Sequence, residues 1–163
     1  MIEKEIQKLL NAKIIIPLRY FKWIENLVIV RKKNGEIQLC IDFRNLNKVS
    51  LKYNYPLPKM EHILQKVVGS ERISTMDGFF GYNQVKVSPE DQENTAFTTP
   101  WGTFMYAKLP FGLMNAGATF QRAMDIVFAE EKDKFVVVNI DDITLYSRSD
   151  REHLKYLKKK FLK

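Results

Sequence analysis

Residues 136–147 read VVVNIDDITLYS, an apolar run with two adjacent acids, Asp141 and Asp142, between Ile140 and Ile143. The β-branched residues on either side predict two strands joined at the acids. Adjacent carboxylates repel each other and need hydration, so such a pair inside a buried-looking run requires a reason. One account is an ordinary turn, because an aspartate side chain bonds nearby backbone. The other is a hairpin held still by its apolar flanks, with its acids presented to a cation.

A second acid bears on that choice. RISTMD (72–77) predicts another buried strand, and it ends in Asp77. In an antiparallel sheet, the end of one strand and the tip of a neighbouring hairpin can lie side by side. Three carboxylates meeting there are costly unless cations neutralise them. Magnesium suits the place, because it takes oxygen ligands from one or two carboxylates and completes its shell with substrate phosphates. Two such ions can clamp the attacking and leaving oxygens of a phosphoryl transfer. Asp77 and Asp141 are then the bridging ligands, and Asp142 supports one ion.

Working outward, Ile2, Ile6, Leu9 and Leu10 recur at helical spacing and predict an opening amphipathic helix. ENLVIVRKKNGEIQLCIDF (25–43) predicts a hairpin turning at Asn34-Gly35. YNYPLP (53–58) is an extended connector, and KMEHILQKVVGS (59–70) a helix stopped at Gly69. YNQVKV (82–87) is a strand candidate, and SPEDQ (88–92) a helical turn. TAFTTPWGTFMYAKLPFG (95–112) predicts strands around Trp101-Gly102. NAGATFQRAMDIVFAEEK (115–132) predicts a helix with Phe120, Met124, Val127 and Phe128 as its apolar stripe. Gln121 and Arg122 are expected to support that helix and its packing. The last helix has a capping box, Ser149 with Glu152, and an apolar face through Leu154, Leu157 and Phe161. Strands and helices mix without βαβ alternation, which predicts an α+β fold with an antiparallel sheet packed on helices.

The totals narrow the class. A chain of 163 residues fits one domain, and 45% apolar with 28% charged residues excludes disorder. The net charge of +7 favours an acidic partner, of which nucleic acid is the commonest. The single cysteine, Cys40, rules out an internal disulfide and fits a reducing compartment. No apolar stretch is long enough to span a bilayer. An intracellular, soluble protein of nucleus or cytoplasm is expected, with no membrane partner. The last helix has no clear terminator, which suggests a chain cut within a larger protein.

Five blocks, VRKKNGEIQLCIDFRNLN, YPLP, STMDGFFGYNQV, TAFTTPWGTFMYAKLPFGLMNAGATFQRAM and VVVNIDDITLYS, match in order and separation. Together they resemble the reverse transcriptase of gypsy-type LTR retrotransposons, in wording close to plant copies. The resemblance implies the fingers and palm of a right-hand polymerase over residues 1–163, a fragment without thumb or RNase H. It implies an RNA-directed DNA polymerase, a nucleotidyltransferase that adds deoxynucleotides to a primer 3′-hydroxyl. Two Mg2+ ions, or Mn2+, would be held by Asp77, Asp141 and Asp142, the acids singled out above. The implied partners are an RNA or DNA template-primer, deoxynucleoside triphosphates and the rest of a polyprotein.

The resemblance also assigns residues to the incoming nucleotide. Lys32 or Lys33 would contact the triphosphate. Tyr82 would pack under the sugar, where its ring clashes with a 2′-hydroxyl. Phe111 and Gly112 would lie beside the nucleotide, and Asp42 and Arg44 on the template side. An Asp-Arg pair made for structure accounts equally well for the last two, and a core aromatic for Tyr82. Two positions depart from the family. Asn139 stands where an aromatic precedes the acid pair, and Gln38 where an arginine would grip the triphosphate. A neutral amide lacks that charge and fork geometry, so weaker nucleotide binding is expected. A non-catalytic remnant that keeps the fold and binds nucleic acid is the alternative reading. A palm-type RNA polymerase is opposed by Tyr82 and by the gypsy-type blocks.

Overall fold

The computed structural model describes residues 2–31, 35 and 37–161. In chain order the elements are α1 (Ile2–Asn11), β1 (Ile15–Pro17), β2 (Asn26–Arg31), β3 (Ile37–Asp42), α2 (Arg44–Val49), α3 (Met60–Val67), β4 (Arg72–Asp77), α4 (Pro89–Gln92), β5 (Phe97–Thr99), β6 (Gly102–Tyr106), α5 (Ala116–Val127), β7 (Val136–Asn139), β8 (Asp142–Ser147) and α6 (Asp150–Phe161). The mixture is α+β with antiparallel pairing, as expected. The strands form three small sheets, ordered β1-β6-β5, β2-β3 and β4-β8-β7, where the sequence predicts one. The described residues group into two compact units, residues 1–52 with 82–116 and residues 53–81 with 117–163.

The first unit holds the hairpin β2-β3, with Val30 opposite Gln38 and Arg31 opposite Ile37. Lys32, Lys33 and Asn34, which follow β2 in sequence, lie outside the described residues. Ile6 of α1, Ile15, Ile41, Phe43, Phe97, Phe104 and Tyr106 form the buried core of this unit. Burial pushes the Tyr106 phenol up to about 12. Glu25 is almost fully buried, and its Oε1 accepts from the Trp23 indole and the Leu46 amide. Those two bonds offset the cost of burying a carboxylate.

The second unit is built on β4-β8-β7. Val136, Val138 and Leu145 are fully buried and pack with Phe128 and Phe135, joined by Met76, Met124, Ile143, Tyr156 and Leu157. Truncating a side chain as buried as Leu145 to alanine costs about 2–5 kcal/mol. α6 lies along this sheet, with the Tyr156 ring stacked on Phe135 at 4.0 Å. His153 bridges two strands, its ring nitrogens 2.8 Å from Ser74 Oγ and 3.0 Å from Ser147 Oγ. The Glu152 amide donates to Ser149 Oγ at 3.3 Å, which is the Ser149 half of the expected capping box.

Three expectations are corrected. Residues 79–84 form 3-10 turns in place of the strand predicted over Tyr82–Val87. Only Lys86 makes a strand-like bridge, to Lys108. Gly81, just before that stretch, sits against the Phe120 ring, 2.7 Å from where a Cβ would stand. In α5, Val127 is exposed although it falls on the predicted stripe, and in α6 Leu154 is exposed while His153 is buried. Otherwise the predicted faces hold: Phe120 and Phe128 are buried, and Met124 and Leu157 pack against the core.

Candidate active site

The acids belong to the second unit. β4 and β8 are antiparallel, with Asp77 opposite Asp142, and β7 and β8 pair Asn139 with Asp142. The hairpin therefore has a two-residue loop, Ile140-Asp141, the tightest that joins two strands. The next pair along β4 is Gly78 and Asp141, and the Gly78 amide donates to the Asp141 carbonyl at 2.6 Å. Antiparallel ladders alternate, so Asp77 and Asp142 form a non-hydrogen-bonded pair, with Cα atoms about 4.5 Å apart and side chains at their closest. Cross-strand partners share a sheet face, which sets Asp77, Asp142 and Asn139 in one row.

Gly78 is what permits this approach. A Cβ on it would stand 2.9 Å from the Asp141 carbonyl oxygen, a backbone atom that no side-chain rotation can move. A glycine directly after a candidate ligand was its only sequence signal.

The loop itself is strained. Ile140 has φ +52°, and Asp141 is not in the left-handed region. A positive φ at the first position of a two-residue hairpin loop is ordinarily taken by glycine, asparagine or aspartate. A β-branched residue there costs on the order of 1–3 kcal/mol, and such strain gathers at functional sites. Asp77 and Asp142 are exposed, Asp141 is partly covered, and its Oδ1 is shielded from solvent.

Behind the hairpin, Gln121 of α5 is completely buried. Its Oε1 accepts from the Ile140 amide at 2.8 Å, and its Nε2 donates to the Val138 carbonyl at 3.2 Å and to Asp125 Oδ1 at 3.0 Å. The support expected of Gln121 thus extends to the acidic hairpin. Its place beside Phe120 on a buried face was the available signal.

As a cation site the donor set is all oxygen, which suits magnesium over softer metals. Like charges directly opposite in a sheet are destabilising, and a cation between them removes that cost. Among the described residues no three His, Cys, Asp or Glu side chains form a ready cage. The carboxylates fit an ion that draws its remaining oxygens from substrate and water.

The remaining candidates lie in the first unit. The Tyr82 ring is buried, 4% exposed, and packs on Phe111 with centroids 4.6 Å apart, while Phe111 is 44% exposed. Gly112 has φ +96°, and a Cβ there would touch Phe43 at 3.4 Å. Asn47 of α2 pins this loop, donating to the Gly112 carbonyl at 2.8 Å and accepting from the Met114 amide at 2.7 Å. Asp42 and Arg44 bind each other, with Nη2 2.6 Å from Oδ2. The hydrogen bonds from Arg44 hold the Asp42 carboxyl below its ordinary range. Lys32 and Lys33 lie outside the described residues.

Residues 30–162 match the family model described as reverse transcriptase (RNA-dependent DNA polymerase). The chain is 32% identical to the Pol polyprotein of transposon gypsy from Drosophila melanogaster, over 96% of this chain and 16% of that one. It is 38% identical to an RNA-directed DNA polymerase homolog of Oenothera berteroana, over 75% of this chain and 88% of that one. The foamy viral protease-reverse transcriptase, solved in complex with an RNA/DNA hybrid, superposes with a TM-score of 0.84 at 25% identity, over 97% of this chain and 21% of that one. The chain thus spans about a sixth of the transposon polyprotein it matches. No helix among the described residues is long and apolar enough to cross a membrane. On the family match and the shared fold, this chain belongs to the reverse transcriptase family.

Proposed function

We propose that this chain is an RNA-directed DNA polymerase domain that adds deoxynucleotides to a primer 3′-hydroxyl, with Asp77, Asp141 and Asp142 as its catalytic acids. The observation that carries the reading is the contact of Gly78 with Asp141, which brings the end of β4 against the tip of the hairpin. Divalent metal ions are general to this family. Two Mg2+ ions held by these carboxylates, or Mn2+ in their place, would activate the attacking oxygen and neutralise the leaving pyrophosphate.

The protein's own part is positioning. The ladder bonds of β4-β8 keep Asp77 and Asp142 apart from solvent-driven rearrangement, and the two-residue loop holds Asp141 beside them. Such preorganisation lowers the barrier because the site does not reorganise during the reaction. Tyr82, backed by Phe111, is assigned to the incoming sugar, where it disfavours a 2′-hydroxyl. Gly112 leaves room beside the base, and Lys32 and Lys33 are assigned to the triphosphate. Arg44, exposed beyond its pairing with Asp42, is assigned with it to the template side. The partners are an RNA or DNA template-primer and deoxynucleoside triphosphates. In a parent element, a thumb and RNase H belong to the rest of the polyprotein.

Primer extension in Mg2+ tests this reading. The wild type should extend a primed RNA template, and Asp77→Asn and Asp141→Asn should not. Equal extension by wild type and Asp141→Asn would remove the acids from the chemistry. Failure of the wild type, also in a longer chain that supplies a thumb, would leave the inactive-remnant reading.

A further inference from the structure

Gln121 does not act alone. Its Nε2 donates to Asp125 Oδ1 one turn along α5, and Asp125 Oδ2 accepts from the Tyr55 hydroxyl at 2.7 Å. Lys132 closes the group, its Nζ 2.8 Å from Asp125 Oδ1. Tyr55 lies in the extended connector before α3, far in sequence from α5 and from the hairpin. A continuous line of hydrogen bonds thus runs Tyr55–Asp125–Gln121–Ile140 within the second unit. It ends on the amide of the strained residue that precedes Asp141.

Each link has a physical role. A buried glutamine is retained only if its polar atoms are bonded, and here both ends are. Its amide flip is set by two acceptors for Nε2, the Val138 carbonyl and Asp125 Oδ1, opposite the Ile140 amide that donates to Oε1. Burial raises the Asp125 carboxyl, but hydrogen bonds from Lys132, Tyr55 and Gln121 outweigh it and hold the group below its ordinary range. The carboxylate is therefore ionised and acceptor-only, which orients Gln121 in one sense. The left-handed conformation of Ile140 persists only when its surroundings over-determine it.

We propose that the Tyr55–Asp125–Gln121 line is a positioning device for the acidic hairpin, with Gln121 clamping the Ile140 peptide and Tyr55 locking the clamp from the connector. The inference rests on the assignment of Asp141 to a metal-dependent polymerase site. These are positioning residues and touch neither substrate nor ion. Outer partners of metal ligands typically change metal affinity or activity by about 10–100-fold when removed.

The test uses the full chain and Gln121→Met, which keeps the volume and loses every bond of the clamp. Amide hydrogen exchange at Ile140 and Asp141 should quicken by roughly tenfold or more. Mn2+ affinity, read by paramagnetic resonance without substrate, should fall in the 10–100-fold range typical of outer-shell partners. In extension assays kcat should drop while the nucleotide KM holds. Gln121→Glu keeps the acceptor for Ile140 and should restore part of the exchange protection. Tyr55→Phe removes one hydroxyl and should move exchange and Mn2+ affinity in the same direction by less. Wild-type exchange and Mn2+ affinity in a folded Gln121→Met protein would overturn the proposal. If that variant does not fold, unchanged values in Tyr55→Phe overturn it instead. Should the wild type bind Mn2+ no better than Asp77→Asn, the polymerase-site assignment fails, while the exchange data still decide whether the clamp exists.

Discussion

At the scale of single residues, the site depends on an atom that is absent. Gly78 carries no Cβ, and the Asp141 carbonyl occupies the space one would need. Gly78→Ala must push the hairpin tip away from β4 or break their hydrogen bond. Because the apolar core of this unit lies elsewhere along the strands, the variant should remain folded. We expect its thermal midpoint to fall by only a few degrees, roughly the effect of 1 kcal/mol in a domain of this size. Primer extension should fall at least about tenfold, as for small misplacements of catalytic groups. An alanine variant with wild-type rates would show that the close approach is incidental to catalysis. The acids were legible in the sequence because charge inside an apolar run is conspicuous. Gly78 and the strain at Ile140 were not, since backbone contacts and dihedral angles leave little mark on residue type.

Among elements, periodicity revealed most helices and strands and most of their core faces, but not every residue on those faces. α5 and α6 are where predicted, yet Val127 and Leu154 face outward and Gln121 and His153 inward. A polar residue that satisfies its bonds through strands far away in sequence cannot be told from a solvated one by spacing alone. Likewise, three sheets in place of one follow from pairings that no local pattern encodes. α5 supplies an acid-sensitive element. Asp125 is held below its ordinary pKa by its partners in the native state. Its contribution is therefore present above the unfolded value of about 3.9 and is lost as pH falls through the lowered native value. Asp125→Asn should lose about 1–3 kcal/mol at neutral pH, as for hydrogen bonds to a partly buried charged group. Its stability should also decline less steeply than wild type in the acid limb below about pH 4. Denaturant titrations from pH 7 to pH 2 would measure both. Parallel acid limbs would assign the stabilisation to other carboxylates.

For the molecule as a whole, the excess of seven positive charges is the widest-ranging feature. Binding of a template-primer duplex should weaken as salt rises, with a log–log slope of about −0.7 to −0.9 per phosphate neutralised. Fluorescence anisotropy with a labelled RNA/DNA hybrid over a salt series gives the slope and so the number of contacts. Affinity that is flat with salt would mean the basic residues do not track the backbone. Binding should also be indifferent to base sequence, since phosphate contacts position without specifying.

Each compact unit is assembled from two separate stretches of chain, and Asp77 and Asp141 fall in different stretches of the same unit. Residues 82–116 are therefore an insertion that must be spanned before the two acids can meet, at an entropic cost that grows only slowly with its length. A cut or a premature stop between Gly78 and Ala116 divides both units at once. A copy that stops within that stretch retains neither unit whole, so the pairing of the two acids records whether the reading frame between them has survived.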